Sequence, residues 1–255
     1  MILVNGPITE PQHLTFVLVR GAWANAGYLR EIAAALQREG HDVHLPEYPG
    51  YGTNSNPSIT HAEITEAVAG YILSWDLQDV VLVGHSFGGS IIQTTAQLVP
   101  DRIKRLVFMN AFVLLDGESV ADQLPPIIYE AFNELRQESG DDTIMLPYDL
   151  YRDIFVNLAS GPLARHLHSL LGPEPAAPLF ESLDLKLFYT LRIPRSYLYL
   201  TTDGFLPEGE DYGWHPHMSG RLGIFRLIKV EGDHMSTVKT NPALIAHKLI
   251  EASRD

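Results

Sequence analysis

The chain contains no cysteine. Disulfides, thiolate catalysis and cysteine-based zinc sites are therefore excluded, and the compartment is left open, with the cytoplasm as the default. Positive charge is scarce as well. Eighteen lysines and arginines stand against 31 aspartates and glutamates, for a formal charge of −13. A surface of that sign repels nucleic acid and anionic membranes, so neither is an expected partner; neutral or cationic small molecules are mildly favoured. No stretch approaches the roughly 20 apolar residues that span a bilayer. The opening MILVNGPITEPQH has no basic region and its apolar run is only Met1 to Val4, so no secretory leader is expected. Internal repeats and low-complexity tracts are missing too. What is present, 255 residues that are 45% hydrophobic and 19% charged, fits one globular domain with a sizeable core and room for an insertion.

Six short apolar runs read as strands: 14–19, 42–45, 80–83, 105–110, 196–200 and 224–230. Several are apolar at nearly every position, which is the pattern of strands covered on both faces, as in a parallel sheet. Helical patterns lie between them. Leu29, Ile32, Ala33 and Leu36 share one face, and Gly40 is placed to end that helix. Thr60 and Glu63 form a capping box before a stripe of Ile64, Val68, Tyr71, Ile72 and Trp75. A third helix carries Ile91, Ile92, Thr95 and Val99, and Asn241-Pro242 opens a last one. This alternation predicts an α/β fold with a doubly wound, mostly parallel sheet. It breaks between Phe112 and Arg195, a stretch with no convincing strand and with helical patches at 127–136 and 148–157. Residues 1–112 and 196–255 are expected to form the core, and 113–195 a helical lid over the carboxyl edge of the sheet.

The stretch VVLVGHSFGGS, residues 80–90, places Ser86 between a strand and a helix in the pattern G-x-S-x-G. The turn is sharp enough to crowd its neighbours, so Gly84 and Gly88 relieve clashes, and Gly89 lets the helix pack close to the strand. Such a turn holds the hydroxyl out at the top of the sheet and aims the Phe87 amide at the same spot. A serine hydroxyl is a poor nucleophile until a base takes its proton. Of 11 histidines, His234 is best placed, between the last strand and the last helix. His85 is pinned by the turn. His166 and His168, and His215 and His217, form two H-x-H pairs with no carboxylate at a supporting spacing, so no metal site is expected. The base needs a carboxylate to fix its tautomer. Asp203 follows the fifth strand run and is the first choice; Asp116 is the runner-up, and Asp233 suits a turn. A second oxyanion donor is expected from Ala22, in the loop after the first strand, beside Phe87.

Four segments, FVLVRGAWANAGYLREIAAALQREGHDV, VVLVGHSFGGS, TTDGFLP and EGDHM, resemble the α/β-hydrolase superfamily. Within it they are similar to the branch that holds plant methyl-ester esterases and hydroxynitrile lyases. The resemblance covers roughly residues 14–112 and 196–252 and is weak through 113–195. It implies a cofactor-free enzyme with Ser86, His234 and Asp203 as catalytic triad and the amides of Ala22 and Phe87 as oxyanion hole. Two departures matter. The family usually has His-Gly after the first strand, where this chain has Arg20-Gly21; Arg20 either anchors a substrate carboxylate or pairs with a nearby acid, and pairing is favoured. Lyase members carry a threonine at the position of Gly21 and a lysine at that of Met235, so both positions side with the esterases. The expected activity is hydrolysis of a carboxylic ester, a methyl ester or lactone of a small hydrophobic or natural-product acid. Trp23, Phe112, Tyr129, Tyr148, Phe155, Leu158 and Met235 are the expected substrate-binding residues. A lyase on the same scaffold and a ligand receptor without turnover are the rivals. A small-molecule ester is the expected partner, and a homodimer stays open.

Overall fold

The six apolar runs align as six parallel strands, β1 (Thr15–Val19), β2 (Asp42–His44), β3 (Val80–Ser86), β4 (Ile103–Ala111), β5 (Arg195–Leu200) and β6 (Arg226–Val230), in the order β2-β1-β3-β4-β5-β6. The computed structural model describes residues 12–51 and 56–254. The Met1–Val4 run lies outside them. All seven residues of β3 are buried, as a central strand with both faces covered requires. β2 is a short edge strand, and only partly covered. Ile224, expected to begin the last strand, is 98% exposed and lies before it.

Helices α1 (Arg30–Arg38), α2 (His61–Ser74), α3 (Gly88–Leu98) and α6 (Pro242–Ser253) flank this sheet. α1 packs with α6, and α2 with α3. The chain runs outward from β1 to β2, then returns past β1 to β3. Right-handed crossovers in opposite directions put their helices on opposite faces. The capping box of α2 is present, with Glu63 N–H donating to Thr60 Oγ1 at 3.2 Å and Thr60 N–H to Glu63 Oε2 at 2.8 Å. Ile64, Val68 and Ile72 are buried as expected, but Trp75 lies past the helix end, exposed, and stacks on Tyr71. The reversal of strand order between β1 and β3 opens a crevice at their carboxyl ends, where such folds bind ligands. The loop after β1 and the turn after β3 face each other across it.

Residues 113–195 carry α4 (Pro126–Ser139), a helical turn at Tyr148–Leu150 that widens through Tyr151–Phe155, α5 (Gly161–His168) and a short turn at Ala177–Phe180. They also hold two strands, Thr143–Ile144 and Glu174–Pro175, paired antiparallel. Sequence gave no sign of these, because two residues are too few to show alternation. Among the described residues no helix is long and apolar enough to cross a membrane.

Candidate active site

Ser86 closes β3 with φ +55, the left-handed region that a non-glycine residue enters only when its surroundings impose it. The crowding is measurable at Gly84, where an added Cβ would lie 2.4 Å from the Gly88 carbonyl oxygen. Phe87 then caps α3, which starts at Gly88.

His234 reaches back from the loop after β6, and its Nε2 stands 2.9 Å from Ser86 Oγ. Its Nδ1 donates to Asp203 Oδ2 at 2.6 Å. Asp203 is fully buried, and its oxygens also accept from Asn110 Nδ2 (2.6 Å) and the Phe205 amide (2.9 Å). Burial alone would raise its pKa, but the charge and hydrogen bond of His234, with Asn110 and the Phe205 amide, hold the carboxyl below its ordinary value. Asp116 instead accepts the Leu185 amide and lies beside Lys186. Asp233 holds the turn into the next helical residues, accepting from the Thr237 amide, Ser236 Oγ and the Leu158 amide.

Asn110 was not singled out from sequence. It sits at φ +35 near the end of β4, exchanges two hydrogen bonds with the backbone of Leu200, and presents its amide to Asp203. An asparagine closing an apolar strand was the one available sign.

Arg20 and Glu174 form an ion pair at 3.5 Å, and both are almost wholly buried. Arg20 thus pairs with an acid of the chain, as favoured above. Its guanidinium also lies over the rings of Tyr48 and Tyr51, 4.0 and 4.8 Å from their centroids. Burial pushes the Glu174 carboxyl above its ordinary pKa, against the pull of Arg20 and of the Trp23 amide, which donates to it at 2.8 Å.

Two small cavities meet at Ser86. One is walled by Trp23, Phe112, Phe132, Leu179 and Phe205, with Ala22 and Phe87 beside the serine. The other has Trp23, Phe155 and Met235 together with His85 and His234. Of the expected contact residues, Trp23, Phe112, Phe155 and Met235 therefore reach the site. Tyr129, Tyr148 and Leu158 line neither cavity. Tyr129 is exposed and leans on Phe180, Tyr148 packs against His168, and the Leu158 side chain is 49% exposed. An amphipathic pattern marks a face and does not say what that face meets. Phe132, Phe205 and Trp214 were missed for the same reason. Trp214 stacks on the His234 ring at 5.3 Å with only 14° between the planes.

Three of the four histidines of the H-x-H pairs have settled partners. His168 bonds the Leu146 carbonyl, His215 the Ser219 hydroxyl and His217 the Glu210 carbonyl. Among the described residues no three metal-ligating side chains cluster. His85 Nε2–H donates to the His234 carbonyl at 2.9 Å; burial, then the nearby His234, push its pKa down to about 3. His61, on Ser90 Oγ at 2.9 Å, is pushed down to about 4 by burial. Both titrate near 6.5 when unfolded, so between pH 6.5 and 4 the unfolded chain takes up protons that the folded chain refuses. Stability therefore falls as pH falls through that window, by at most about 3 kcal/mol per histidine at pH 4. Urea unfolding at pH 7 and pH 4.5 measures this, and His61→Gln should flatten the slope by about one proton. Equal stability at the two pH values would contradict it.

The chain matches the alpha/beta hydrolase fold model over residues 15–141. A solved structure, described as an extracellular alpha/beta-hydrolase from a Paenibacillus species with structural and functional homology to tobacco Salicylic Acid Binding Protein 2, superposes with a TM-score of 0.93. It is 53% identical, and the match covers 95% of this chain and 100% of that one. Salicylic acid-binding protein 2 of Nicotiana tabacum is 27% identical over 92% of this chain and 95% of its own length. A carbendazim hydrolyzing esterase of Nocardioides sp. is 40% identical over 113 residues, 43% of this chain and 47% of that protein, so less than half of that relative is spanned. With the six-stranded parallel sheet, the serine turn at the end of β3 and a relative 53% identical over its whole length, the chain belongs to the alpha/beta-hydrolase family.

Proposed function

We propose that the chain is a serine hydrolase that cleaves a carboxylic ester through an acyl-enzyme. The observation that carries this reading is the unbroken line from Ser86 Oγ to His234 Nε2 (2.9 Å) and from His234 Nδ1 to Asp203 (2.6 Å). Ser86 Oγ attacks the ester carbonyl while His234 Nε2 takes its proton. The amides of Ala22 and Phe87 receive the oxyanion. His234 then protonates the departing alcohol. Water, losing its proton to His234, attacks the acyl-enzyme and frees the acid. The chain's own side chains and water complete the cycle.

The apolar cavity favours an uncharged acyl group, since a charge buried there would lose its water without gaining a partner. Its walls are aromatic and aliphatic, and among the described residues no cationic side chain lines it. Methyl esters and small lactones fit that description. Residues 113–195 act as the lid, supplying Phe132, Phe155 and Leu179 to these walls.

Two positions favour hydrolysis over cyanide elimination. An added Cβ at Gly21 would lie 2.8 Å from Ser86 Cβ, so a threonine there would force the serine to shift. Met235 is buried and neutral, and a lysine in its place would oppose the imidazolium by like-charge repulsion. The wild type is expected to hydrolyse aryl or methyl esters, to become labelled at Ser86 by a fluorophosphonate, and to release no cyanide from mandelonitrile. Met235→Lys is expected to lower esterase activity by about 10-fold or more. Cyanide release faster than hydrolysis of every ester tried would replace this reading with a lyase. Labelling without turnover of any ester, thioester or lactone would replace it with a ligand receptor.

A further inference from the structure

The loop that follows β1 is held from outside by the inserted segment. Trp23 has φ +63, a conformation that a bulky residue keeps only under constraint. Each of its polar groups is engaged. Its amide donates to Glu174 Oε2 at 2.8 Å, its indole Nε1–H to the Ile144 carbonyl at 2.8 Å, and its carbonyl accepts from Tyr51 Oη at 2.7 Å. Ile144 and Glu174 are cross-strand partners, so a single two-residue ladder supplies two of the three contacts. Three residues on, Glu47 Oε1 takes the Ala26 amide at 2.6 Å.

A buried ion pair is weak support for stability, because desolvation offsets most of its attraction. Arg20 and Glu174 nevertheless stand almost wholly buried, with Glu174 in neither cavity at Ser86. What the pair adds is direction. A carboxylate held by Arg20 makes a charge-assisted bond to the Trp23 amide and fixes the peptide plane between Ala22 and Trp23. The preceding plane, which carries the Ala22 N–H, is joined to it through the single residue Ala22.

We propose that Glu174, held by Arg20, is a positioning residue for the oxyanion hole. Through Trp23 it sets the direction of the Ala22 amide. It thereby acts on the transition state and leaves ground-state binding alone. This rests on the acyl-enzyme reading above. A displacement near 1 Å in such a group can cost about 10²-fold in rate.

The test uses p-nitrophenyl acetate turnover and inhibition by phenylboronic acid, whose adduct with the serine is tetrahedral. Glu174→Ala is expected to lower kcat by about 30–100-fold with KM within about threefold, and to weaken boronate inhibition in parallel. Glu174→Gln keeps an oxygen for the Trp23 amide and is expected to restore kcat to within about fivefold of wild type. Tyr51→Phe leaves the ion pair in place and is expected to lower kcat by about 3–10-fold at unchanged KM. A kcat for Glu174→Ala within threefold of wild type, or boronate inhibition unchanged while kcat falls, overturns the proposal. If Glu174→Ala does not fold because Arg20 is left unpaired, Tyr51→Phe decides, and a wild-type kcat there overturns it. Ser86→Ala, run alongside, separates the two readings. Loss of turnover in Ser86→Ala with none in Glu174→Ala removes the positioning role alone. Full turnover in Ser86→Ala removes the acyl-enzyme, and the positioning role falls with it.

Discussion

Ser86→Ala is expected to lower ester turnover by about 10⁴–10⁶-fold and to leave folding intact. The size follows from the way the three side chains are joined. With Oγ gone, His234 Nε2 has no proton to take and Asp203 has no developing charge to offset, so the whole relay is lost at once. What would remain is the proposed donor pair of Ala22 and Phe87 and the aromatic walls, which can still assist attack by water to a small degree. Folding survives because the substitution removes one atom at a site that is 4% exposed, and because alanine and serine pay similar strain at φ +55. The thermal midpoint should stay within a few degrees while fluorophosphonate labelling disappears. A variant that keeps a tenth of wild-type turnover would end the covalent mechanism.

The parts of this molecule that could be read from sequence are those whose signals are local. β1, β3 and β4 announce themselves because strands covered on both faces must be apolar at nearly every position, and the Ser86 turn because its G-x-S-x-G pattern is contiguous. Only Gly84 is forced by a local contact, with Gly88, while Gly88 is crowded by Val19 and Arg20 and Gly89 by Ala111 and Phe112. Asp203 and His234 stand out because the topology puts the end of every parallel strand at one edge. Asn110 does not, since its use depends on the register that sets β4 beside β5 and brings Leu200 and Asp203 within its reach. The inserted segment was hardest to read. Tyr129 and Phe132 lie one turn apart on α4, yet Phe132 is buried beside Ser86 and Tyr129 faces outward. The Glu174 partner of Arg20 comes from a two-residue ladder with no pattern of its own. Such choices are made by long-range packing, to which hydrophobic periodicity is blind.

Asp203→Asn is expected to lower kcat by about 10⁴-fold with little change in KM, a loss as large as that from removing a reacting group, although Asp203 is placed to act through His234 alone. The reason is a count of donors. The Asp203 carboxylate faces His234 Nδ1–H, Asn110 Nδ2–H and the Phe205 amide, three donors and no acceptor. A carboxylate can serve all three, whereas an asparagine must turn its NH₂ toward one of them. Turned toward Phe205, it sets two donors against each other in a fully buried site, at a cost of about 1–3 kcal/mol. Turned toward His234, it makes Nδ1 an acceptor, so the proton moves to Nε2. An Nε2–H aimed at Ser86 Oγ cannot accept the serine proton, and the base is lost without any change of shape. Asn110 bars the easy escape, because its own NH₂ is fixed toward position 203 by its two bonds to Leu200. Steady-state kinetics on p-nitrophenyl acetate, with fluorophosphonate labelling rates, would measure the loss. If Asp203→Asn keeps turnover within tenfold of wild type, His234 is oriented by something other than Asp203, and the carboxylate holds the loop instead of the base.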